Sequence, residues 1–405
     1  YSQPIMLWTN NINIGNDSTS IVYDATRDYS GNIITASLHP IPSNWTGVLT
    51  KYSNTGALIF ERSLPVFDDL HGYQYKLTTD RSGNIYVAVD AGWQGSKQTV
   101  IKYSSGGDSL WASTYSIEGL PFDDYVTETK DISMDAAGNL YLVATLRQRN
   151  IADTGYDQFL LVTSYSASGG LLWEDKSIVA AAIDFRYPSG YEDIIYGKMI
   201  VDNSSNIYTS ISYRWNEAAN LYQTKTLKYG SGGGEPQWIA TVEKQPYGAP
   251  FNDMDVDDAG NIYVEFQNAG GYPISSAGII KYNSAGSPQW EHGVVGNGNP
   301  SIAADNNGGV YIAYDYSSGF FPGNAKIYHF SQSDSSFFGE FSYPGNTYST
   351  INRMNVDPAG FLAVSGRSSA TYSSSGTEGM YLFSEFSPTS ELTGTATYSS
   401  PGESY

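Results

Sequence analysis

One motif, Asp-x-x-Gly-Asn-aliphatic-Tyr-aliphatic in its fullest form, recurs seven times along the 405 residues. Its copies begin at Asp28, Asp80, Asp135, Asp202, Asp257, Asp305 and Asp357. The intervals between them are 52, 55, 67, 55, 48 and 52 residues. A near-constant period of that length marks a repeat architecture, in which each copy is one supersecondary unit that buries its core only against its neighbours.

The motif spells a tight strand-to-strand connection. Asp opens the turn, and three residues later Gly takes the left-handed backbone that closes it. Gly31, Gly83, Gly138, Gly260, Gly308 and Gly360 hold that place, and Ser205 departs from it. The runs that follow, such as Ile85-Tyr-Val-Ala88, Leu140-Tyr-Leu-Val143 and Ile262-Tyr-Val264, predict strands buried on both faces. A second signature comes after each turn: Tyr or Phe, a Ser/Gly-rich turn, then an aromatic residue, as in Tyr103 to Trp111. Trp173, Trp238 and Trp290 repeat it, with Phe60 and Phe338 as weaker forms. Each unit therefore holds about four short strands, and no stretch has the 3.6-residue period of a helix. Seven such units predict a ring of radial sheets: an all-β fold, a seven-bladed β-propeller of four-stranded antiparallel blades.

Three segments carry a family resemblance: Leu120-Pro-Phe-Asp-Asp-Tyr125, Asp131 through Val143, and Tyr165 through Trp173. Their order resembles the SBBP type of seven-bladed β-propeller repeat, over roughly residues 20 to 395. The resemblance implies a secreted or cell-surface protein and no single chemistry, since one fold hosts many functions. Blades are expected at about 20–64, 72–116, 126–178, 194–243, 252–294, 300–343 and 350–398, in one domain spanning 1–405.

Composition narrows the function. The chain has no cysteine and no apolar run of about 18 residues, so no membrane insertion and no disulfide framework are expected. No basic-then-apolar leader is present, and Tyr1 stands where Met would, as expected of a processed mature product or of a trimmed form of a longer chain. Forty-one acidic against 21 basic residues give a net charge of −20, which repels phosphate backbones and excludes nucleic acid as a partner. Low charge density, abundant Ser, Thr, Asn and Gly, and 34 tyrosines fit an extracellular surface that makes contacts through amphipathic rings. Asn16, Asn44 and Asn203 begin sequons compatible with glycosylation.

Counting back from each turn Asp sets the register of the first strand. Three residues before it stand Ala25, Leu77, Ile132, Met199, Met254, Ile302 and Met354, an apolar face expected to pack between blades. Four residues before it stand Asp24, Lys76, Asp131, Lys198, Asp253, Ser301 and Arg353. That face would line a channel with alternating charge, read first as a salt-bridge ring that fixes blade closure and second as an ion or ligand site.

Other candidate chemistry is sparse. The pairs Asp68-Asp69 and Asp123-Asp124 offer oxygen ligands that would suit calcium, but no Asp-x-Asp-x-Asp loop accompanies them. They read first as acceptors for loop amides, and no cofactor is expected. The four histidines stand in no metal-ligand spacing. Trp45, Trp93 and Trp215 fall in predicted loops, either as platforms for sugars or as covers of blade edges. At the seventh unit Gly394 replaces the outer aromatic, whereas Ile5-Met-Leu-Trp8 near the start reads as a spare outer strand. The N-terminal and C-terminal segments are thus expected to pair and close the ring, with Ile5, Leu7, Trp8 and Leu392 at the closure or in an assembly strand spanning 1–15. A surplus strand of that kind can pair with another copy and build a filament. The expected function is a non-catalytic extracellular platform whose partners are copies of itself, surface glycans or proteins. The alternative is a polysaccharide-active glycosidase or lyase, or a glycan-binding module.

Overall fold

A computed structural model describes residues 21–386 apart from 42–43, 54–55, 66–74, 91–96, 117–124, 150–154, 185–195, 217–220, 245–252, 270–274, 296–300, 306, 315–316, 319–320, 323–324, 332–334, 342–347, 357–361 and 370–383. Every regular element among the described residues is a β-strand. The strands form consecutive antiparallel meanders, one per motif.

Sheet 1 comprises Ile21–Arg27, Ile33–Ile41, Asn44–Tyr52 and Leu58–Leu64. Sheet 2 comprises Tyr75–Thr79, Ile85–Asp90, Lys97–Tyr103 and Ser109–Ser116. Sheet 3 comprises Tyr125–Met134, Leu140–Arg149, Gly155–Tyr165 and Leu171–Asp184. Sheet 4 comprises Tyr196–Val201, Ile207–Asn216, Leu221–Tyr229 and Trp238–Lys244. Sheet 5 comprises Met254–Val256, Ile262–Ala269, Ser275–Tyr282 and Pro288–Val295. Sheet 6 comprises Ser301–Ala304, Val310–Tyr314, Ala325–Phe330 and Ser335–Phe341. A two-stranded ribbon, Ser317–Ser318 with Phe321–Pro322, is inserted at its middle turn. Sheet 7 has three strands among the described residues: Tyr348–Val356, Leu362–Ser369 and Ser384–Phe386. Small four-stranded meanders repeated along a chain are the blades of a β-propeller.

The described residues between 14 and 244 form one compact unit with sheets 1 to 4, and those from 245 onward form a second with sheets 5 to 7. Within each unit the first strand of one sheet lies against the first strand of the next. The cores sit between successive sheets rather than inside any one of them. Leu49 and Phe60 of sheet 1 share a cluster with Leu77 and Val87 of sheet 2. Val100 of sheet 2 meets Ile132 and Leu142 of sheet 3, and Val162 of sheet 3 meets Met199 and Leu227 of sheet 4. In the second unit Ile279 of sheet 5 packs with Ile302 and Ile312 of sheet 6.

In blades 1 to 6 the described residues of the strand after the motif are buried on both faces, most completely at Ile85 to Asp90. The apolar register of the first strand also holds: Leu77, Ile132, Met199, Met254, Ile302 and Met354 are buried, and Ala25 is half-buried.

Candidate functional site

The repeated aspartates are the most numerous candidates, and their surroundings are consistent from blade to blade. In blade 2 the Asp80 Oδ1 accepts the backbone N–H groups of Ser82 and Asn84, both at 2.9 Å. Its Oδ2 accepts the Asn84 side-chain amide at 2.7 Å and the Tyr86 hydroxyl at 3.3 Å. Asp135, Asp202 and Asp257 repeat this set, with Tyr141, Tyr208 and Tyr263 each donating at 3.1 Å. Each of these four carboxylates is the acceptor hub of its own turn. The glycine of the turn has a φ of 76° to 87° in blades 1, 2, 3, 5 and 6, and Ser205 takes 60°.

The tyrosines that follow these turns are accordingly structural, while Tyr29 within the first turn is exposed. Tyr75, Tyr86, Tyr141, Tyr165, Tyr208, Tyr229, Tyr263 and Tyr311 are fully buried. Burial, followed by the charge of Asp135, pushes the Tyr141 hydroxyl up to about 12.

Two blades vary the hub in ways that compensate. Blade 1 has Ile34 where blades 2 to 6 have Tyr, and there Lys51 Nζ reaches Asp28 Oδ2 at 2.9 Å with both side chains almost fully buried. Burial alone would raise Asp28, but bonds from Asn32 and Lys51 outweigh it and hold the carboxyl below its usual value. In blades 2, 4 and 5 the matching Lys102, Lys228 and Lys281 lie over the rings of Tyr86, Tyr208 and Tyr263 at 4.8, 5.1 and 5.0 Å, and Lys102 Nζ also lies 3.6 Å from Asp80 Oδ2. Blade 6 replaces Asn by Gly309 and Lys by His329, and the imidazole Nε2 sits 2.7 Å from Asp305 Oδ2. A side chain at 309 would collide with that ring, since its Cβ would lie 2.7 Å from Nε2. Burial opposes the effect, but the His329 contact and two backbone amides hold Asp305 below its usual value.

The charged positions of the first strand are also tied into the backbone. Asp24 accepts the N–H of Ala25 through Oδ1 at 2.9 Å and that of Leu77 in the next blade through Oδ2 at 2.8 Å. Asp131 does the same with Ile132 and Met199, both at 3.0 Å. Asp253 does so with Met254 and Ile302, again at 3.0 Å. Ser301 Oγ takes the acceptor role towards Met354 N–H at 3.1 Å. Each of these residues therefore staples its own strand to the first strand of the following blade. Lys198 Nζ lies 3.9 Å from Asp131 Oδ2 of the preceding blade. Lys76 and Arg353 lie on the first strands of blades 2 and 7 as the register requires.

The outer strands hold the blades together at the other end. The positive-φ glycine of one blade's last turn packs on the outer aromatic of the preceding blade: Gly107 on Phe60, Gly169 on Trp111 and Gly233 on Trp173. Trp111 Nε1 also donates to Ala167 O at 3.2 Å, and Arg62 Nε donates to Gly107 O at 3.1 Å. Exposed apolar side chains gather on these same strands, at Leu58, Ile59, Leu110, Leu171, Leu172 and Ile239.

Some expected residues fall elsewhere. Asp68, Asp69, Asp123, Asp124, Ile5, Leu7, Trp8, Leu392 and Trp93 lie outside the described residues. Trp45 and Trp215 lie in strands rather than loops, and Trp45 packs half-buried against the core between blades 1 and 2. Sequence reasoning missed the buried polar cluster at the junction of blades 2 and 3, where Asp90, Gln98, Thr129 and Thr163 are all 0 % exposed. None of the four belongs to the repeated motif. A hint was Lys76, a residue unable to accept an amide hydrogen at a place where both neighbouring blades have Asp.

No protein-family model matches the chain, and no curated protein sequence does. Solved structures do resemble it. The structure of polysaccharide lyase Uly1 is 11% identical, matches 92% of this chain and 91% of that one, and has a TM-score of 0.53. The β-propeller domain of the Trilobed protease from Pyrococcus furiosus, described as having an open velcro topology, is 7% identical over 86% and 89% of the two chains with a TM-score of 0.46. The GH93 α-L-arabinofuranosidase of Fusarium graminearum is 10% identical over 80% and 96%, with a TM-score of 0.45.

Proposed function

We propose that the chain is a non-catalytic extracellular binding platform built on a closed, seven-bladed propeller of the SBBP type, with the N-terminal segment completing the last blade. The observation that supports this reading is how the repeated carboxylates are used. The described turn aspartates are occupied by amides, hydroxyls, lysines or an imidazole of their own blade, and Asp24, Asp131 and Asp253 tie blades 1, 3 and 5 to the blades that follow them. A carboxylate filled by such donors is a structural acceptor rather than an acid or base waiting for substrate. The ligand class we assign is a neutral or basic surface glycan or protein, because a net charge of −20 repels anionic polymers at long range.

A second reading is a polysaccharide-active enzyme, favoured by the likeness in fold to a polysaccharide lyase over 92% of the chain. A glycan array run beside hydrolysis and lyase assays on the same polysaccharides separates the two. Saturable binding with no new reducing ends and no unsaturated sugar product is the expected outcome; either product overturns the platform reading in favour of the enzyme. Electron microscopy of the native material addresses self-assembly through the terminal segments. Ordered fibres would make a second copy of the chain the partner, and dispersed rings would leave a glycan or another protein.

A further inference from the structure

The junction between blades 2 and 3 is built differently from its neighbours. Blades 1 and 3 offer Asp24 and Asp131 to the next first strand, whereas blade 2 has Lys76 at that position. The amide taken across this junction lies three residues before Ile132, the counterpart of Leu77 and Met199, and its acceptor is Asp90, the last residue of the second strand of blade 2. Its Oδ2 accepts the Thr129 backbone N–H in a short contact, and its Oδ1 accepts the Thr129 hydroxyl at 2.6 Å. The chain of bonds continues: Gln98 Nε2 donates to Thr129 Oγ1 at 2.8 Å, and Thr163 Oγ1 donates to Gln98 Oε1 at 3.1 Å. All four side chains are shut off from solvent. Beyond Thr163, two residues along the same strand, stands the buried Tyr165 hydroxyl, which has Thr163 as its neighbouring polar side chain.

We propose that Asp90, Thr129, Gln98 and Thr163 form a reversible hydrogen-bond relay that makes the junction of blades 2 and 3 responsive to proton concentration. In the arrangement just described Asp90 is a carboxylate and every donor in the chain points towards it. When Asp90 takes a proton from solvent at Oδ1, that O–H donates to Thr129 Oγ1. The Thr129 hydroxyl hydrogen turns to Gln98, whose carboxamide rotates so that its oxygen accepts it. The freed Gln98 N–H then donates to Thr163, and the Thr163 hydroxyl turns to the Tyr165 oxygen. One proton enters, and each donor along the chain reverses direction, ending at Tyr165. The Thr129 N–H keeps Asp90 Oδ2 as its acceptor in both states.

The electrostatics of the junction suit such a relay. Burial pushes the Asp90 carboxyl up to about 7, against the two bonds from Thr129. Flanking Thr129, Glu128 raises it and Lys130 lowers it, and these two neutralise each other at 2.6 Å. Among the described side chains, the other charged groups on the packed strands are Lys76, Asp131, bonded to the blade 4 amide, and Lys102, which faces Asp80 at 3.6 Å. Because the folded state favours the neutral acid, this junction contributes its full stability below the ordinary carboxylate range near 4. That contribution declines as pH rises towards 7.

Infrared spectroscopy of the wild-type protein is the direct test. At about pH 6 ordinary carboxyls are ionised, so a remaining protonated-carboxyl band that disappears by about pH 8 belongs to a group of this kind. Asp90→Asn should abolish the band. Its amide also copies the reversed relay, accepting from the Thr129 N–H and donating to Thr129 Oγ1. Hydrogen exchange of the Thr129 amide, corrected for its intrinsic pH dependence, should accelerate at least about tenfold between these pH values in the wild type and stay level in Asp90→Asn. The Leu77 and Met199 amides, bound by Asp24 and Asp131, serve as controls. Absence of a residual band in the wild type, or Thr129 exchange that follows the controls, overturns the proposal even if the variant fails to fold.

Discussion

Asp28 and Lys51 form an ion pair whose side chains are only 2% and 4% exposed, yet the two partners are not equally replaceable. Asp28 keeps two backbone amides and the Asn32 side chain when Lys51 is removed, whereas Lys51 without Asp28 is a buried ammonium that retains the Ser105 carbonyl at 3.0 Å. Stranding a buried charge costs about 3–5 kcal/mol, and losing one bond to a charged group costs about 1.5–3. Asp28→Asn should therefore destabilise more than Lys51→Met in chemical denaturation near neutral pH. The folded Asp28 value is lowered, so its contribution is present above the ordinary carboxylate value and lost as pH falls through the lower folded one. The gap between the two variants should accordingly close in acid.

At the scale of one element, the turn joining the last two strands of blade 4 separates backbone strain from packing. Gly232 has nothing within 4 Å of a built Cβ and no positive φ. Gly234 has a φ of 86° but open space, and Gly233 has a φ of 70° with its Cβ inside the Trp173 ring. Alanine should be nearly neutral at 232 and cost about 1 kcal/mol at 234 for the left-handed backbone. At 233 it should cost about 1–3 kcal/mol more, because the ring must move. Thermal denaturation of the three variants checks the order, and equal losses at 233 and 234 would remove the glycine–tryptophan contact from the forces holding blade 4 to blade 3.

For the whole molecule, a net charge of −20 sets up self-repulsion that favours any more open state. Raising sodium chloride from about 0.01 M to about 0.15 M shortens the screening length from about 30 Å to about 8 Å. The melting temperature should rise over that range, and a salt-independent melting temperature would show that the acids are already neutralised locally. Blade-to-blade staples such as Asp24 to Leu77 are short contacts and are screened far less, so they persist in salt.

Much of this architecture was legible in the chain. Turn chemistry is local: Asp, Gly and Asn within five residues make a hairpin with their own side chains, so seven copies announce seven hairpins and the strands on either side. The register followed too, because alternation assigns Leu77, Met199 and Ile302 to the interior once the turn is placed. Partners drawn from another blade were not legible. Asp24 finds the Leu77 amide 53 residues away, and Asp90 finds the Thr129 amide of the next blade. Those pairings depend on how successive sheets stack, and stacking is decided by the packing of whole cores, which no single repeat contains.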